Sequence, residues 1–342
     1  MGGVDSVVNF GLTYIPASVI LPGLFVIAAF VSTAMGTSMG TIAAVAPIAM
    51  DIALKADLPV AVAIAAVVGG AMFGDDLSMI SDTTIAASRT QGCTLRDKFI
   101  MNFKIALPSA IMTVAIMAVS GASGTITQSL EYDAIKIIPY VAVLALALMG
   151  MNVFLVLLLG TLFAGVIGLA YGNFTLLGFA QKTYEGFGSM QEIFILSLLI
   201  GGLAHMIAKL GGLDYLVGLI SRRITSKKGA ELGIVALSSA ADICTANNTI
   251  AIVISGPMAK KLAAQYDIEP RRCASLLGMA ACVWQGILPY GAQMLLAGSI
   301  AKLSPMEILP HVYYPYVLGL GVLISIAFGF PKPMLAPAES SR

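Results

Sequence analysis

Long apolar runs separated by short polar stretches recur along the whole chain, and their lengths suit a bilayer crossing better than the face of a soluble core. The pattern predicts an all-α polytopic membrane protein. One polar stretch stands out among the apolar runs: Phe73-Gly74-Asp75-Asp76-Leu77-Ser78-Met79-Ile80-Ser81-Asp82-Thr83-Thr84. Carboxylates at Asp75, Asp76 and Asp82 are costly in hydrocarbon, and ionisable residues inside membrane segments mark function. The span is therefore expected to break at Gly74-Asp75-Asp76.

The pattern also repeats. Gly2-Gly3-Val4-Asp5 reads against Gly211-Gly212-Leu213-Asp214 at an offset of 209, and Thr41-Ile42-Ala43 against Thr249-Ile250-Ala251 at 208. Gly74 reads against Gly286 at 212, and Pro108 against Pro315 at 207. Four matches in order at a nearly constant offset predict an internal duplication, a feature of secondary transporters whose sites lie where broken helices of the two halves meet. Repeat A spans 2–121, with a re-entrant hairpin over 21–56, a broken helix over 59–88 and a closing helix over 105–121. Scaffold helices at 134–149, 153–171 and 190–209 occupy the connecting segment 122–210. Repeat B spans 211–330, with a hairpin over 229–262, a broken helix over 272–303 and a closing helix over 312–330; a polar tail, 331–342, follows.

Loop charge sets the expected orientation. The 229–262 stretch is too short for two full spans of about 20 residues each. It is flanked by Arg222, Arg223, Lys227 and Lys228 on one side and Lys260, Lys261, Arg271 and Arg272 on the other. Both ends are thus expected in the cytoplasm, with Thr245-Ala246-Asn247-Asn248-Thr249 at depth. The matching stretch of repeat A has only Lys55 at its ends and is expected to open to the opposite face. A loop carrying Arg89, Arg96, Lys98 and Lys104 reads as cytoplasmic, and Gly121 to Asp133, without Lys or Arg, as external. The repeats are therefore expected to be inverted about an axis in the membrane plane. Helix 190–209 precedes Gly211-Gly212 with no counterpart before Gly2-Gly3, so the sequence reads as an N-terminally truncated form of a longer transporter.

Composition agrees with the bilayer as solvent. Hydrophobic residues make up 58% and charged residues 11%, against about 45–50% and 25% in soluble domains, and mean hydropathy is +0.92. A formal net charge of +1, spread over short loops, gives no reason to expect a nucleic-acid partner. Cys93, Cys244, Cys273 and Cys282 form no CxxC motif and read as small apolar residues. Residues 1–10 lack the basic start of a secretory signal. No Walker-type loop is present, so neither ATP nor any other cofactor is expected.

The chemistry available at the expected breaks suits a hard cation and a proton. Repeat A offers Asp75, Asp76 and Asp82 with Ser78, Ser81, Thr83 and Thr84, and its hairpin tip offers Thr37, Ser38 and Thr41. Repeat B offers Asp242, Asn247, Asn248 and Thr249 at its hairpin, then Gln285 and Gln293. Hard cations take such oxygen ligands. Na+ is expected at Asp75, Asp82, Asn248 and Thr249. A carboxylate in low dielectric holds its proton tightly and a bound cation loosens it, so one group shared by Na+ and H+ couples their exchange. Asn247 and Asn248 also suit a helix N-cap, and Glu192 and His205 in the 190–209 span are candidates for a proton path or an interior hydrogen bond. Asp5 and Asp214 read as helix starts.

Gly36-Thr37-Ser38-Met39-Gly40-Thr41, Gly74-Asp75-Asp76-Leu77-Ser78-Met79-Ile80-Ser81-Asp82-Thr83-Thr84, Thr245-Ala246-Asn247-Asn248-Thr249 and Gln285-Gly286-Ile287-Leu288-Pro289-Tyr290-Gly291-Ala292-Gln293 resemble the signature stretches of the NhaC-type Na+/H+ antiporter family of the ion transporter superfamily. The likeness covers nearly the whole chain. It implies inverted repeats with re-entrant hairpins, cation-coupled antiport, and a multi-pass protein of the plasma (inner) membrane with homo-oligomerisation open. Met79 stands where the family is expected to carry Pro, and Met39 where an aromatic often stands. These departures bear on cargo, since relatives also exchange organic acids or amino acids. A small carboxylate or amino acid is therefore the alternative cargo, although no Arg falls in an expected break to clamp one. An intramembrane aspartyl protease using Asp75 and Asp133 is a remote alternative: the dyad needs both carboxylates in one site, and Asp133 falls in the external loop. No enzymatic activity is expected.

Overall fold

A computed structural model describes residues 19–55, 58–119, 131–148, 153–188 and 224–331, together with isolated positions outside these ranges. Every regular element among the described residues is helical. The first half comprises α1 (Ile20–Met35), α2 (Ser38–Lys55), α3 (Val60–Leu77), α4 (Asp82–Gln91) and α5 (Leu95–Val119). Two helices, α6 (Ala134–Leu148) and α7 (Val153–Ala170), and a further helix α8 over 176–188 follow. The second half comprises α9 (Lys227–Thr245), α10 (Asn248–Gln265), α11 (Pro270–Ile287), α12 (Ala292–Ala301), the short α13 (Pro305–Ile308) with a 3-10 turn (Leu309–His311), and α14 (Tyr313–Phe328).

The bounds of the two halves recur at an offset of 210. Met35, Ser38, Val60, Leu77, Asp82 and Gln91 match Thr245, Asn248, Pro270, Ile287, Ala292 and Ala301 as element ends. The offset lies between the 207 and 212 of the individual sequence matches and pairs Asp75 with Gln285. Backbone conformation follows the same rule: the hairpin turns use left-handed Gly36 and Ala246, at φ 70° and 50°. The half-helices end on left-handed Gly92 and Lys302, at φ 78° and 56°. An αL residue closes a helix by satisfying an orphan carbonyl.

Among the described residues, three helical stretches are long and apolar enough to cross a membrane: Val60–Gln91, Leu95–Val119 and Pro270–Ala301. A fourth is added if Pro305–His311 and Tyr313–Phe328, bent by 53°, count as one span. Small residues bring the helices close. A Cβ on Gly70 would lie 2.2 Å from the Phe25 carbonyl oxygen, and one on Gly74 would lie 2.3 Å from that of Ala29. This four-residue spacing lets α3 pack backbone-to-backbone on α1, the device by which membrane helices associate without a hydrophobic driving force. The Ser32 hydroxyl then donates to the Ala71 carbonyl at 2.7 Å. Phe25, Phe73 and Tyr314 close the cluster, with ring centroids 5.6 to 6.0 Å apart.

Three features depart from the sequence reading. Helix α5 begins at Leu95, ten residues before the expected 105, so Lys98 is carried into the interior and is fully buried. Arg272, expected among loop charges, is also buried. Its guanidinium donates through Nε and Nη2 to both Glu231 oxygens at 3.0 Å, and through Nη1 to Ser325 Oγ at 2.7 Å. Helix α8 falls between expected spans, its start capped by Thr175, whose hydroxyl accepts from the Gly178 amide at 3.2 Å. The expected 190–209 span, Asp5, Glu192, His205 and Asp214 lie outside the described residues, as do most of the 121–133 loop and the 331–342 tail.

The Arg272–Glu231 pair ties α11 to α9 and yields a stability prediction. Arg272→Met leaves Glu231 buried without its partner and should cost about 3–5 kcal/mol, whereas the double variant Arg272→Met/Glu231→Leu should recover most of it. Thermal unfolding in detergent followed by monodispersity checks this. A single variant as stable as the parent would show that the pair carries no load.

Candidate functional site

The two breaks are built alike. Helix α3 stops at Leu77, four residues run extended or turned, and α4 starts at Asp82 with Ser81 as N-cap, its hydroxyl accepting from the Thr84 amide at 3.2 Å. Ser78 Oγ donates to the Thr33 carbonyl at 2.8 Å and thereby ties this break to its own hairpin. At hairpin B, Asn247 is the N-cap of α10, its side-chain oxygen accepting from the Ile250 amide at 3.0 Å. At hairpin A the Thr37 hydroxyl accepts from the Gly40 amide at 3.3 Å. These polar residues satisfy backbone that a break has freed, as hydrocarbon requires.

Contacts then cross between the halves. The Thr249 hydroxyl, on hairpin B, donates to Asp82 Oδ2 at 2.7 Å on the break of the first half. In return Gln293 Nε2, on α12 beyond the second break, donates to Ser38 Oγ at 3.1 Å on hairpin A. Ser38 Oγ donates onward to Asp75 Oδ2 at 2.8 Å. Gln293 Oε1 accepts from Gln285 Nε2 at 2.5 Å, and Gln285 Nε2 also reaches the Ala246 carbonyl at the tip of hairpin B at 3.1 Å. One chain of hydrogen bonds therefore joins both hairpin tips to Asp75.

Asp75 is buried, and its Oδ1 has no hydrogen-bond partner. Ser81 and Asp82 lie beside its carboxylate. Asp82 itself is exposed, with Oδ1 accepting from the Thr83 amide at 2.8 Å. Asn248 Oδ1 accepts from the Thr249 amide at 2.9 Å, and Ser81 and Thr83 share a hydroxyl contact of 2.6 Å. Asp242, one turn before the hairpin B tip, is fully buried with neither carboxylate oxygen hydrogen-bonded. Gln285 Oε1 is a further buried oxygen without a partner. The arrangement thus offers oxygen ligands and a buried carboxylate at irregular backbone.

The sequence-derived candidates divide accordingly. Asp75, Asp82, Ser38, Ser81, Thr83, Asn248, Thr249 and Gln285 come together. Thr41 turns back on its own helix, donating to the Thr37 carbonyl at 2.9 Å, and Thr37 and Asn247 serve as caps. Asp76 and Thr84 face elsewhere, towards Lys98 and Asn102. Neither Lys98 nor Asn102 was a candidate from sequence. The signal was present: Lys98, Asn102, Ser109 and Thr113 form one polar, buried stripe at helical spacing along an apolar helix. Asp133 accepts from the Tyr171 hydroxyl at 3.2 Å at the start of α6.

Helical hairpins and interrupted apolar helices converging on a buried carboxylate fit a multi-pass membrane transporter. Comparison with known proteins names the family: its model, described as the Na+/H+ antiporter family, matches residues 3–122 and 124–331, and the chain belongs to it. The chain is 21% identical to a malate-2H+/Na+-lactate antiporter of Bacillus subtilis, over 94% of this chain and 76% of the relative. It is 23% identical to the Na+/H+ antiporter NhaC of Alkalihalophilus pseudofirmus, over 96% and 78%. Identity to the NhaC of Bacillus subtilis is 24%, over 97% and 80%.

Proposed function

We propose that this protein exchanges Na+ for H+ across the plasma (inner) membrane by alternating access, with Asp75 as the carboxylate the two cations share. The observation that carries the reading is the buried, unpartnered Asp75 Oδ1 beside Ser81 and Asp82. A dry acceptor without a donor is costly, and a cation or a proton relieves it. Asp75, Asp82, Asn248 and Thr249 are the proposed Na+ ligands. The contacts Thr249–Asp82 and Gln293–Ser38 each join one half's hairpin to the other half's break, so occupancy of the centre biases how the halves sit together. Recurrence of element bounds at 210 supports an internal duplication, and the expected inversion of the halves about an axis in the membrane plane belongs to this proposal.

A second reading keeps the same centre but adds a small carboxylate or amino acid as cargo. The relative named as a malate-2H+/Na+-lactate antiporter supports it. Helices α4 and α10 begin at the centre, and helix N-termini suit an anion.

In proteoliposomes with a trapped pH dye, Na+ addition is expected to move protons, and Asp75→Asn to abolish the response. Asp82→Asn should raise the half-saturating Na+ concentration at least about tenfold, as for loss of a charged ligand worth about 1.5–3 kcal/mol. Proton movement that appears only after malate, lactate or an amino acid is added would favour the second reading; full activity in Asp75→Asn would sink both.

Ser38→Ala and Thr41→Val separate the centre from its scaffold. Ser38→Ala removes the Asp75 hydrogen bond and should weaken Na+ dependence about tenfold or more, whereas Thr41→Val breaks only a bond within α2 and should change it by less than about threefold. Equal effects of the two would place Ser38 outside the binding centre.

A further inference from the structure

Beside the Asp75 centre lies a second polar cluster that the proposed exchange does not use. Lys98 is fully buried, Asn102 is fully buried, and Asp76 and Thr84 are nearly so. The Lys98 ammonium donates to Thr84 Oγ1 at 3.0 Å and to the Asp76 carbonyl at 3.4 Å, and stands 3.8 Å from Asp76 Oδ1. A tight charge-assisted bond is about 2.7–2.9 Å. The ammonium is therefore not drawn onto the carboxylate but held among several oxygens, as a bound ion would be.

Those oxygens outnumber what the lysine uses. Asn102 Nδ2 donates to both the carbonyl and Oδ1 of Asp76 at 3.0 Å, which leaves Asn102 Oδ1 without a partner. Asp76 Oδ2 also has none. Carboxylate, amide, hydroxyl and backbone carbonyl oxygens make up the donor set a hard cation takes. Gly278 on α11 leaves room for the ammonium: a Cβ there would lie 3.0 Å from Lys98 Cε and 3.1 Å from Nζ. The cluster thus joins α3, α4, α5 and α11 around one positive charge.

We propose that Lys98 is a built-in cation, its ammonium occupying an oxygen-lined site formed by Asp76, Thr84 and Asn102 that takes an alkali cation when the lysine head is removed. With the lysine in place, Asp76 is neutralised from within and withheld from Na+, so the number of ions bound per cycle is set by the Asp75 centre alone. The part of this inference that concerns ion number rests on the Na+/H+ reading. The occupancy of the cluster by a cation does not.

The test uses the full chain, purified, as Lys98→Ala and as Lys98→Ala/Asp76→Asn. Equilibrium binding of radioactive Na+ is expected to rise by one ion per protein in Lys98→Ala, with a steeper concentration dependence, and to return to the parent number in the double variant. Should Lys98→Ala give too little protein for ion binding, its thermal unfolding is followed in detergent extract with and without methylammonium, which matches the deleted head. Methylammonium or Na+ should then stabilise Lys98→Ala more than the parent and have no such extra effect on the double variant. A Lys98→Ala protein that gains no ion and no extra stabilisation from either cation would overturn the proposal and make the cluster a structural ion pair. A parent chain that binds no Na+ would instead count against the Na+/H+ reading, while the methylammonium comparison would still decide the role of Lys98.

Discussion

Every helix break in this chain must find partners for the backbone it frees, because the bilayer supplies none. That requirement determines which residues are free to do chemistry. Ser78, Ser81, Thr37 and Asn247 are each engaged with a backbone group at a break or a hairpin tip. What remains, at the same depth, is a small number of side chains with spare capacity: Ser38, Thr249, Gln285, Gln293 and the carboxylates of Asp75, Asp82 and Asp242. The caps hold the breaks open at fixed geometry, and the spare groups inherit positions around the opening.

The recurrence of element bounds at 210 exposes an asymmetry in the opening. At the offset of 210, Asp75 matches Gln285, Asp82 matches Ala292, and Thr83 matches Gln293. The first break carries acids and the second carries amides, the second half's buried acid, Asp242, standing on its hairpin instead. An amide has both donor and acceptor capacity, and Gln285 and Gln293 use theirs to connect hairpin B, each other and Ser38 to Asp75. Had both breaks carried acids, like charges would face one another in low dielectric at large cost. The division of labour lets neutral donors from the second break reach Asp75 on the first.

Much of this was legible in the sequence because breaks in apolar runs must advertise themselves with polar residues. Gly36-Thr37-Ser38, the Gly74–Thr84 stretch and Asn247-Asn248-Thr249 each fall at an observed turn or break, and the sequence matches at 207 to 212 bracket the offset of 210 at which element bounds recur. Misread were the charges of Lys98 and Arg272. Counting basic residues as loop markers assumes that each stays in water, and here helix α5 begins early enough to carry Lys98 inside, while Glu231 compensates Arg272. Neither partner is near its basic residue in sequence, so no local pattern announces the pairs. Contacts such as Thr249 with Asp82 span 167 positions and depend wholly on how the halves meet.

That dependence has a mechanical consequence. Each half's hairpin meets the other half's break through a hydroxyl or amide contact as well as close packing, as where Gly256 of α10 lies against Thr90 of α4, and a net hydrogen bond is worth only about 0.5–1.5 kcal/mol. Within the first half α1 and α3 pack with backbone-to-backbone closeness at Gly70 and Gly74, and rigid close packing does not deform gradually. The contacts at Asp75 itself are hydrogen bonds, and a change of charge there acts on them most directly. In the proposed exchange, a cation or proton arriving at Asp75 changes the charge that Ser38 and its amide partners must accommodate, and a change of about 1 kcal/mol there is comparable with these hydrogen bonds. On that proposal, ligand occupancy at this centre suffices to bias how the halves sit together, because a ligand shifts an equilibrium by its differential affinity for the two states.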